Sequence, residues 1–161
     1  MGYIEGSERD EAEKFLKKAA EVAEGSTCQR SRCGSVVVKE NEIIGQGYNS
    51  PPGDLETQRR CSNEKELYNR KVTDKTCCIH AEQRALFNSL KNEGDIEGSV
   101  LYFTRIDDEG EIKRSGKPYC TICSKMTLDL GAEEFVLWHE DGIYAYDIEE
   151  YNDLSFGFNG E

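Results

Sequence analysis

The chain has 161 residues, of which 32 are acidic and 20 are Lys or Arg, so its formal net charge is −12 at pH 7. We expect a single domain over residues 1–161, because a chain of this length buries about 70% of its unfolded surface and needs no disulfide or metal ion to hold a core. The acidic balance disfavours a polynucleotide as partner but leaves small charged metabolites open. With neither an apolar run of about 18 residues nor a signal peptide, the sequence predicts a cytoplasmic protein that does not bind a membrane.

The first third of the chain predicts one helix followed by a hairpin. Apolar residues recur at helical spacing over 12–23, between a capping-box pattern that starts at Ser7 and a stop at Gly25. Two β-branched runs, 35–38 and 43–44, are separated by four polar residues and therefore predict a pair of antiparallel strands.

The middle of the chain alternates between polar loops, a helix and a buried strand. Residues 50–77 are polar and lack periodicity, which indicates a functional or disordered insertion. A helical stripe over 79–90 precedes an apolar run over 99–103 that is typical of a buried strand. A turn signal at 107–110 then predicts a short returning strand around Ile112.

The last part of the chain predicts a helix, two strands and an aromatic tail. A helix follows Pro118 and ends before Gly131, and residues 134–138 form the next strand. Within the tail over 139–161, residues 143–146 are expected to return as an antiparallel strand. Helices that alternate with strands in this order predict an α/β fold, a three-layer α/β/α sandwich around a mixed sheet of about five strands.

Two short motifs at the starts of predicted helices together specify a metal site. An H-A-E motif starts at His80, and a C-T-I-C motif starts at Cys120 and ends at Cys123. Zinc binds imidazole nitrogen and thiolate sulfur tetrahedrally, and a catalytic zinc has three protein ligands so that the fourth position can hold water. The two motifs supply these three ligands as His80, Cys120 and Cys123. Unpaired amides and the helix dipole at the first turn favour the two thiolates.

Glu82 is the candidate for a general acid/base. It is too close to His80 to ligate the same ion comfortably, but a carboxylate beside zinc-bound water can take its proton and return it to a substrate nitrogen. A C-x-x-C pair by itself also occurs in structural zinc sites and in thiol-redox proteins, which are therefore the alternatives. Neither alternative explains Glu82.

With these residues the chain resembles the cytidine and deoxycytidylate deaminase superfamily, whose signature is H-x-E followed by P-C-x-x-C. The resemblance implies a cytidine deaminase-like fold and hydrolytic loss of ammonia after zinc-bound hydroxide attacks C4 of cytosine. By the same resemblance, His80, Cys120 and Cys123 are the zinc ligands, and Glu82 is the proton shuttle. Relatives commonly associate, so the resemblance also implies a homo-oligomer.

Two upstream patterns resemble the deoxycytidylate branch of the superfamily. One has the spacing S-x-C-x-R from Ser26 to Arg30, and the other is the G-Y-N run that ends at Asn49. The resemblance implies that Asn49 holds the sugar or base, that Arg30 binds the 5′-phosphate, and that Ser26 belongs to the same substrate site. A free cytosine nucleotide or nucleoside, with dCMP first, is then the expected substrate.

Three departures from the family pattern leave other substrates open. Tyr119 separates Pro118 from Cys120, the connection after Phe103 is long, and Arg84 stands where relatives often have asparagine. The alternatives are a deaminase of guanine, of adenine in tRNA or of a pterin or pyrimidine intermediate, and a zinc-stabilised binding or regulatory protein without turnover.

The remaining cysteines give a second metal hypothesis. Cys28, Cys33, Cys61 and Cys77 or Cys78 could hold a structural zinc that fixes the long insertion, and some deoxycytidylate deaminases resemble this in having a second zinc nearby. Free buried thiols are the alternative.

Overall fold

A computed structural model of the chain describes residues 1–160 as a sheet with helices on both faces. The strands are β1 (Gly2–Tyr3), β2 (Arg32–Lys39), β3 (Glu42–Tyr48), β4 (Val100–Ile106), β5 (Ile112–Lys113), β6 (Glu134–His139) and β7 (Gly142–Asp147). The helices are α1 (Gly6–Ala23), α2 (Ala81–Asn92), α3 (Thr121–Asp129) and α4 (Ile148–Phe156). The predicted α/β sandwich is confirmed. The five longer strands agree with the predicted ones, and so does the short returning strand β5. The two-residue strand β1 was not predicted.

The strand order is β1-β7-β6-β4-β2-β3, and β5 pairs with β4 at its end. The β4–β6 pair is parallel, whereas the other pairs are antiparallel, so the sheet is mixed as predicted. Since β2 runs antiparallel to both β3 and β4, its start lies at the same edge of the sheet as their ends. This edge is where the starts of α2 and α3 lie.

Both faces of the sheet are buried by helices. Along β2, Val36 and Val38 pack with α1 whereas Val37 packs with α2, as the alternation of side chains along a strand requires. The helices approach the sheet closely: a Cβ added at Gly34 would lie 2.0 Å from the carbonyl oxygen of Ala19. Glycine is therefore required there to bring α1 against β2.

The start of α1 differs from the prediction. The helix begins at Gly6, whose φ is +62°, and its N-cap is Glu5, which makes no side-chain capping bond. Ser7 lies inside the first turn, so the predicted capping box is wrong. The helix begins two residues earlier than the capping box implies because glycine accepts the positive φ.

The insertion and the tail are both ordered against the sandwich. Short 3₁₀ turns interrupt the insertion at 52–54, 56–58 and 65–67, and the backbone N–H of Ile79 donates to the carbonyl of Ser50 (2.9 Å) at its base. The tail forms β7 and α4, whose Tyr151 stacks on Phe135 at 3.9 Å between ring centroids. Across residues 1–160, no helix has both the length and the apolar character needed to cross a membrane.

Arg84 on α2 holds the turn that follows β3. Its Nη1 donates to the carbonyl of Tyr48 (2.8 Å) and to Oγ of Ser50 (2.5 Å), and its Nη2 donates to the carbonyl of Pro51 (3.3 Å). These acceptors lie on both sides of Asn49. Arg84, a departure from the family pattern, thereby fixes the backbone around a candidate substrate residue.

Replacing Arg84 with Met should lower the free energy of unfolding by about 1.5–3 kcal/mol, the range for hydrogen bonds to a charged group. Denaturant unfolding measures the change, and Lys91→Met, an exposed position on the same helix, is the matched control. Equal stability of the two variants would show that Arg84 does not hold this turn.

Candidate zinc and substrate site

The candidate site lies where two helix starts meet the common edge of three strands. His80 is the N-cap of α2 and Cys120 is the N-cap of α3. Asn49 follows β3, and Cys33 is the second residue of β2. The fold thus brings together residues that are far apart in sequence, because α2 and α3 both begin beside this edge.

The three predicted zinc ligands face one another. Nδ1 of His80 is 3.2 Å from Sγ of Cys123 and 3.3 Å from Sγ of Cys120. All three ligand atoms lie within 4.8 Å of one another. Tetrahedral zinc, with bonds of about 2.0–2.1 Å to nitrogen and about 2.3 Å to sulfur, needs nitrogen–sulfur separations of roughly 3.6 Å. The set of one imidazole and two thiols therefore fits a zinc ion in chemistry and in spacing.

The ionisation of the three ligands is strongly coupled. A hydrogen bond from Cys123, with a second from His80, outweighs burial and lowers the pKa of the Cys120 thiol to about 4. The resulting thiolate, together with burial, raises the pKa of Cys123 well above its usual value. The same thiolate, as hydrogen-bond partner, raises the pKa of His80 to about 9. A divalent cation bound here would take the place of the protons that these groups otherwise hold.

Glu82 lies in the first turn of α2 and lines the same cavity as His80 and Cys120. Its side chain is buried, with 7% of its surface exposed. Burial, and after it the negative charge of Cys120, raises the pKa of Glu82 to about 7. A carboxyl group in this position can accept a proton and return it near neutral pH.

A cavity of about 450 Å³ opens over these residues. Its size is within the range of small-molecule sites. Asn49 and Arg30 are part of its lining, whereas Ser26 and Cys123 are not. Tyr119, the residue that the family pattern lacks, lies at the cavity with its ring packed against Phe158 of the tail, 5.6 Å between centroids.

Asn49 connects two loops at the cavity. Its Oδ1 accepts from Oγ of Ser26 (2.6 Å) and from the backbone N–H of Cys33 (2.8 Å), and its Nδ2 donates to the carbonyl of Ser31 (2.7 Å). These bonds use the acceptor capacity of the amide and one of its two N–H groups. Ser26 does not line the cavity, but its hydrogen bond to Asn49 orients that side chain.

Arg30 is tied to the insertion. Its Nε donates to the carbonyl of Cys61 (3.0 Å) and its Nη2 to that of Asn63 (3.3 Å). The side chain also lines the cavity. Arg30 therefore joins the S-x-C-x-R loop to the insertion at the cavity.

A second cysteine cluster lies at the base of the insertion. The sulfurs of Cys28, Cys61 and Cys78 lie within 4.8 Å of one another, and Sγ of Cys77 is 3.2 Å from that of Cys61. Cys33 does not belong to the cluster, so that part of the prediction is wrong. Its place at the start of β2 puts its thiol 3.4 Å from Oγ of Ser31, on the cavity lining.

The second cluster favours a thiolate at Cys61. Burial raises the pKa of this thiol, but hydrogen bonds from the backbone of Gln29, from Cys77 and from Arg59 outweigh burial and bring it to about 7. Burial and the hydrogen-bonded Cys28 raise the pKa of Cys78. A cation could displace the protons shared within this group, as at the first site.

The chain is similar to known proteins over most of its length. The family model for the cytidine and deoxycytidylate deaminase zinc-binding region matches residues 9–139. The deoxycytidylate deaminase of Mycobacterium phage D29 is 33% identical over 136 residues, which are 81% of this chain and 95% of that protein. That of Schizosaccharomyces pombe is 27% identical over 127 residues, which are 76% of this chain but 35% of that protein.

A solved structure gives the same result. The crystal structure of dCMP deaminase from the cyanophage S-TIM5 in complex with dCMP and dUMP has a TM-score of 0.57 and 26% identity, over 82% of this chain and 82% of that one. Sequence and structure agree with the resemblance found in the two metal-site motifs. The chain belongs to the cytidine and deoxycytidylate deaminase family.

Proposed function

We propose that this chain is a zinc-dependent deaminase that hydrolyses dCMP to dUMP and ammonia. The observation that carries the proposal is the buried Glu82 beside the trio of His80, Cys120 and Cys123, in a cavity that Asn49 and Arg30 also line. The names of the phage, yeast and cyanophage relatives support dCMP over guanine, adenine or a pterin. The intact Glu82 favours an enzyme over a zinc-stabilised binding protein.

The reaction needs one water molecule and no redox partner. The oxygen of water becomes the new carbonyl oxygen at C4, the amino group leaves as ammonia, and the two protons of water end on N3 and on the leaving amine. A zinc ion held by the trio would lower the pKa of a bound water molecule from about 15.7 to about 7. Glu82 would accept the two protons of this water in turn and pass one to N3 of the ring and one to the departing nitrogen.

The substrate is held by residues of two loops. The Oδ1 atom of Asn49 accepts from Cys33, and one N–H of its amide donates to Ser31. The second N–H of this amide can therefore donate to the sugar or base. Ser26 keeps this amide in place. Arg30 brings a guanidinium to the cavity for the 5′-phosphate, a ligand that suits its planar fork.

Replacing Glu82 with Gln should lower kcat for dCMP by about 10²-fold to 10⁴-fold, the usual contribution of a general acid/base. Ammonia release measures turnover, and elemental analysis should find the zinc content unchanged. Glu11→Gln, which removes an exposed carboxylate from α1, should leave kcat as it is. Normal turnover in the Glu82 variant would contradict the assigned proton transfer.

Replacing Arg30 with Ala should raise KM for dCMP about tenfold more than KM for deoxycytidine, because a charge-assisted bond to phosphate contributes about 1.5–3 kcal/mol. Arg32→Ala is the control, since Arg32 bonds the carbonyl of Glu24 and is not part of the cavity lining. Equal changes for both substrates would remove the phosphate role of Arg30.

We also propose that the second cluster holds a structural zinc through Cys28, Cys61, Cys77 and Cys78. Three of these sulfurs meet within 4.8 Å, and the fourth, that of Cys77, is 3.2 Å from Cys61 and 3.8 Å from Cys78. Closed sets of four cysteines are typical of structural zinc. The ion would join the S-x-C-x-R loop to the interior and to the end of the insertion and so keep Arg30 and Arg60 at the cavity.

Elemental analysis should find about two zinc ions per chain, and Cys28→Ser combined with Cys61→Ser should leave about one. This variant should also unfold at a lower temperature, because metal binding contributes to folding. Cys33→Ser should retain both ions. A single zinc in the unchanged protein would rule out the second site.

Two further expectations stay predictions: that copies of the chain associate, and that it acts in the cytoplasm. The exposed side chains of Phe87 and Leu90 on α2 support the first, with 43% and 37% of their surfaces exposed.

A further inference from the structure

The cavity has a charge opposite to that of the chain. Seven Lys or Arg side chains line it, and Glu82 is the single acidic residue of the lining, although the chain as a whole has a net charge of −12. Three of the cations, Arg60, Lys65 and Lys75, come from the insertion. A concave site lined by one sign of charge raises the local concentration of ligands with the opposite sign.

These cations have no carboxylate partners within the described residues 1–160. The ion pairs found there involve the N-terminus, Lys17, Lys18, Lys39 and Arg59, none of which lines the cavity. The lysines and arginines of the cavity are therefore not neutralised by ion pairs with carboxylates of the protein. A bound anion would neutralise them.

A second part of the cavity wall is the β4–β5 hairpin and the segment after it. Arg105, Lys113 and Lys117 come from this wall. In the β4–β5 register, Arg105 is directly opposite Lys113. Like charges in that relation destabilise a strand pair. An anion bound over the pair converts this repulsion into attraction for the ligand.

The guanidinium of Arg105 contains one donor without a partner in the protein. Its Nε is buried and has no hydrogen-bond partner in the described part of the chain. Arg114, on the same hairpin, stacks instead on Trp138 at 3.8 Å from the ring centroid and does not line the cavity. The hairpin thus directs Arg105 and Lys113 to the cavity while Arg114 serves packing.

We propose that the β4–β5 wall, through Arg105, Lys113 and Lys117, is a second anion subsite that lets the cavity take cytosine nucleotides with two or three 5′-phosphates. The inference rests on the proposed deaminase function and extends its substrate class. One phosphate group has a charge of about −1.5 to −2 at neutral pH, which Arg30 and one further cation already balance. The remaining cations match a longer phosphate chain. The reaction is dCTP + H₂O → dUTP + NH₃, with no other reactant.

The test compares the zinc-loaded enzyme on dCMP, dCDP, dCTP and deoxycytidine at low salt, with the products separated by chromatography. We expect dUTP to form from dCTP with a kcat/KM at least equal to that for dCMP. In the variant Lys113→Gln/Lys117→Gln the ratio of kcat/KM for dCTP to that for dCMP should fall about tenfold to hundredfold. The charge-matched control Lys91→Gln/Lys125→Gln, with both positions exposed outside the cavity, should keep the ratio.

The affinity of the cavity for dCTP and dCMP can also be measured without turnover. Calorimetry with the Glu82→Gln variant should show dCTP binding at least tenfold more tightly than dCMP, and the Lys113/Lys117 substitutions should remove most of this difference. If dCMP is deaminated while dCTP neither reacts nor binds more tightly, the subsite is overturned and the deaminase function stands. Activation by dCTP without dUTP formation, or preference for a cytosine-containing oligonucleotide, would also overturn it. If no cytosine compound reacts, the proposed function is wrong. Equal binding of dCMP and dCTP would then rule out the subsite as well.

Discussion

Two thiols and an imidazole nitrogen meet within 4.8 Å at the starts of α2 and α3, and this meeting is the constraint on which the rest of the site depends. Burial of these ionisable side chains without a cation costs free energy, because burial disfavours their charged forms and the protonation of each one affects that of the next. With a cation, the same three atoms are a preorganised ligand set. Glu82 lies two residues after His80, so the helix that begins beside one proposed ligand also places the proposed proton carrier.

The sheet determines what surrounds this centre. Because β2 is antiparallel to both β3 and β4, Cys33, Asn49 and Arg105 come to one edge from three strands. Arg84 then fixes the backbone on both sides of Asn49. The insertion and the β4–β5 hairpin with the segment after it add cations to the wall of the cavity. The combination of a rigid centre and variable walls is how one fold acts on substrates of different charge.

The sequence was sufficient for features that depend on local pattern or on chemistry. The β-branched runs predicted β2 and β3, and the H-x-E and C-x-x-C motifs predicted which residues the fold would bring together. Features that depend on packing were not predictable. The start of α1 moved because Gly6 adopts a positive φ, and Cys33 left the cysteine cluster because β2 places it at the cavity. The role of Arg84 required knowing that α2 packs beside the turn after β3, although its departure from the family pattern was a signal.

The most direct test is a crystal structure of the zinc-loaded protein with anomalous data at the zinc edge. We expect a zinc ion bound by His80, Cys120 and Cys123, with the fourth position open to the cavity beside Glu82 and filled by a non-protein oxygen. A fourth side chain on that ion, or zinc bound elsewhere with these three residues free, would contradict this expectation.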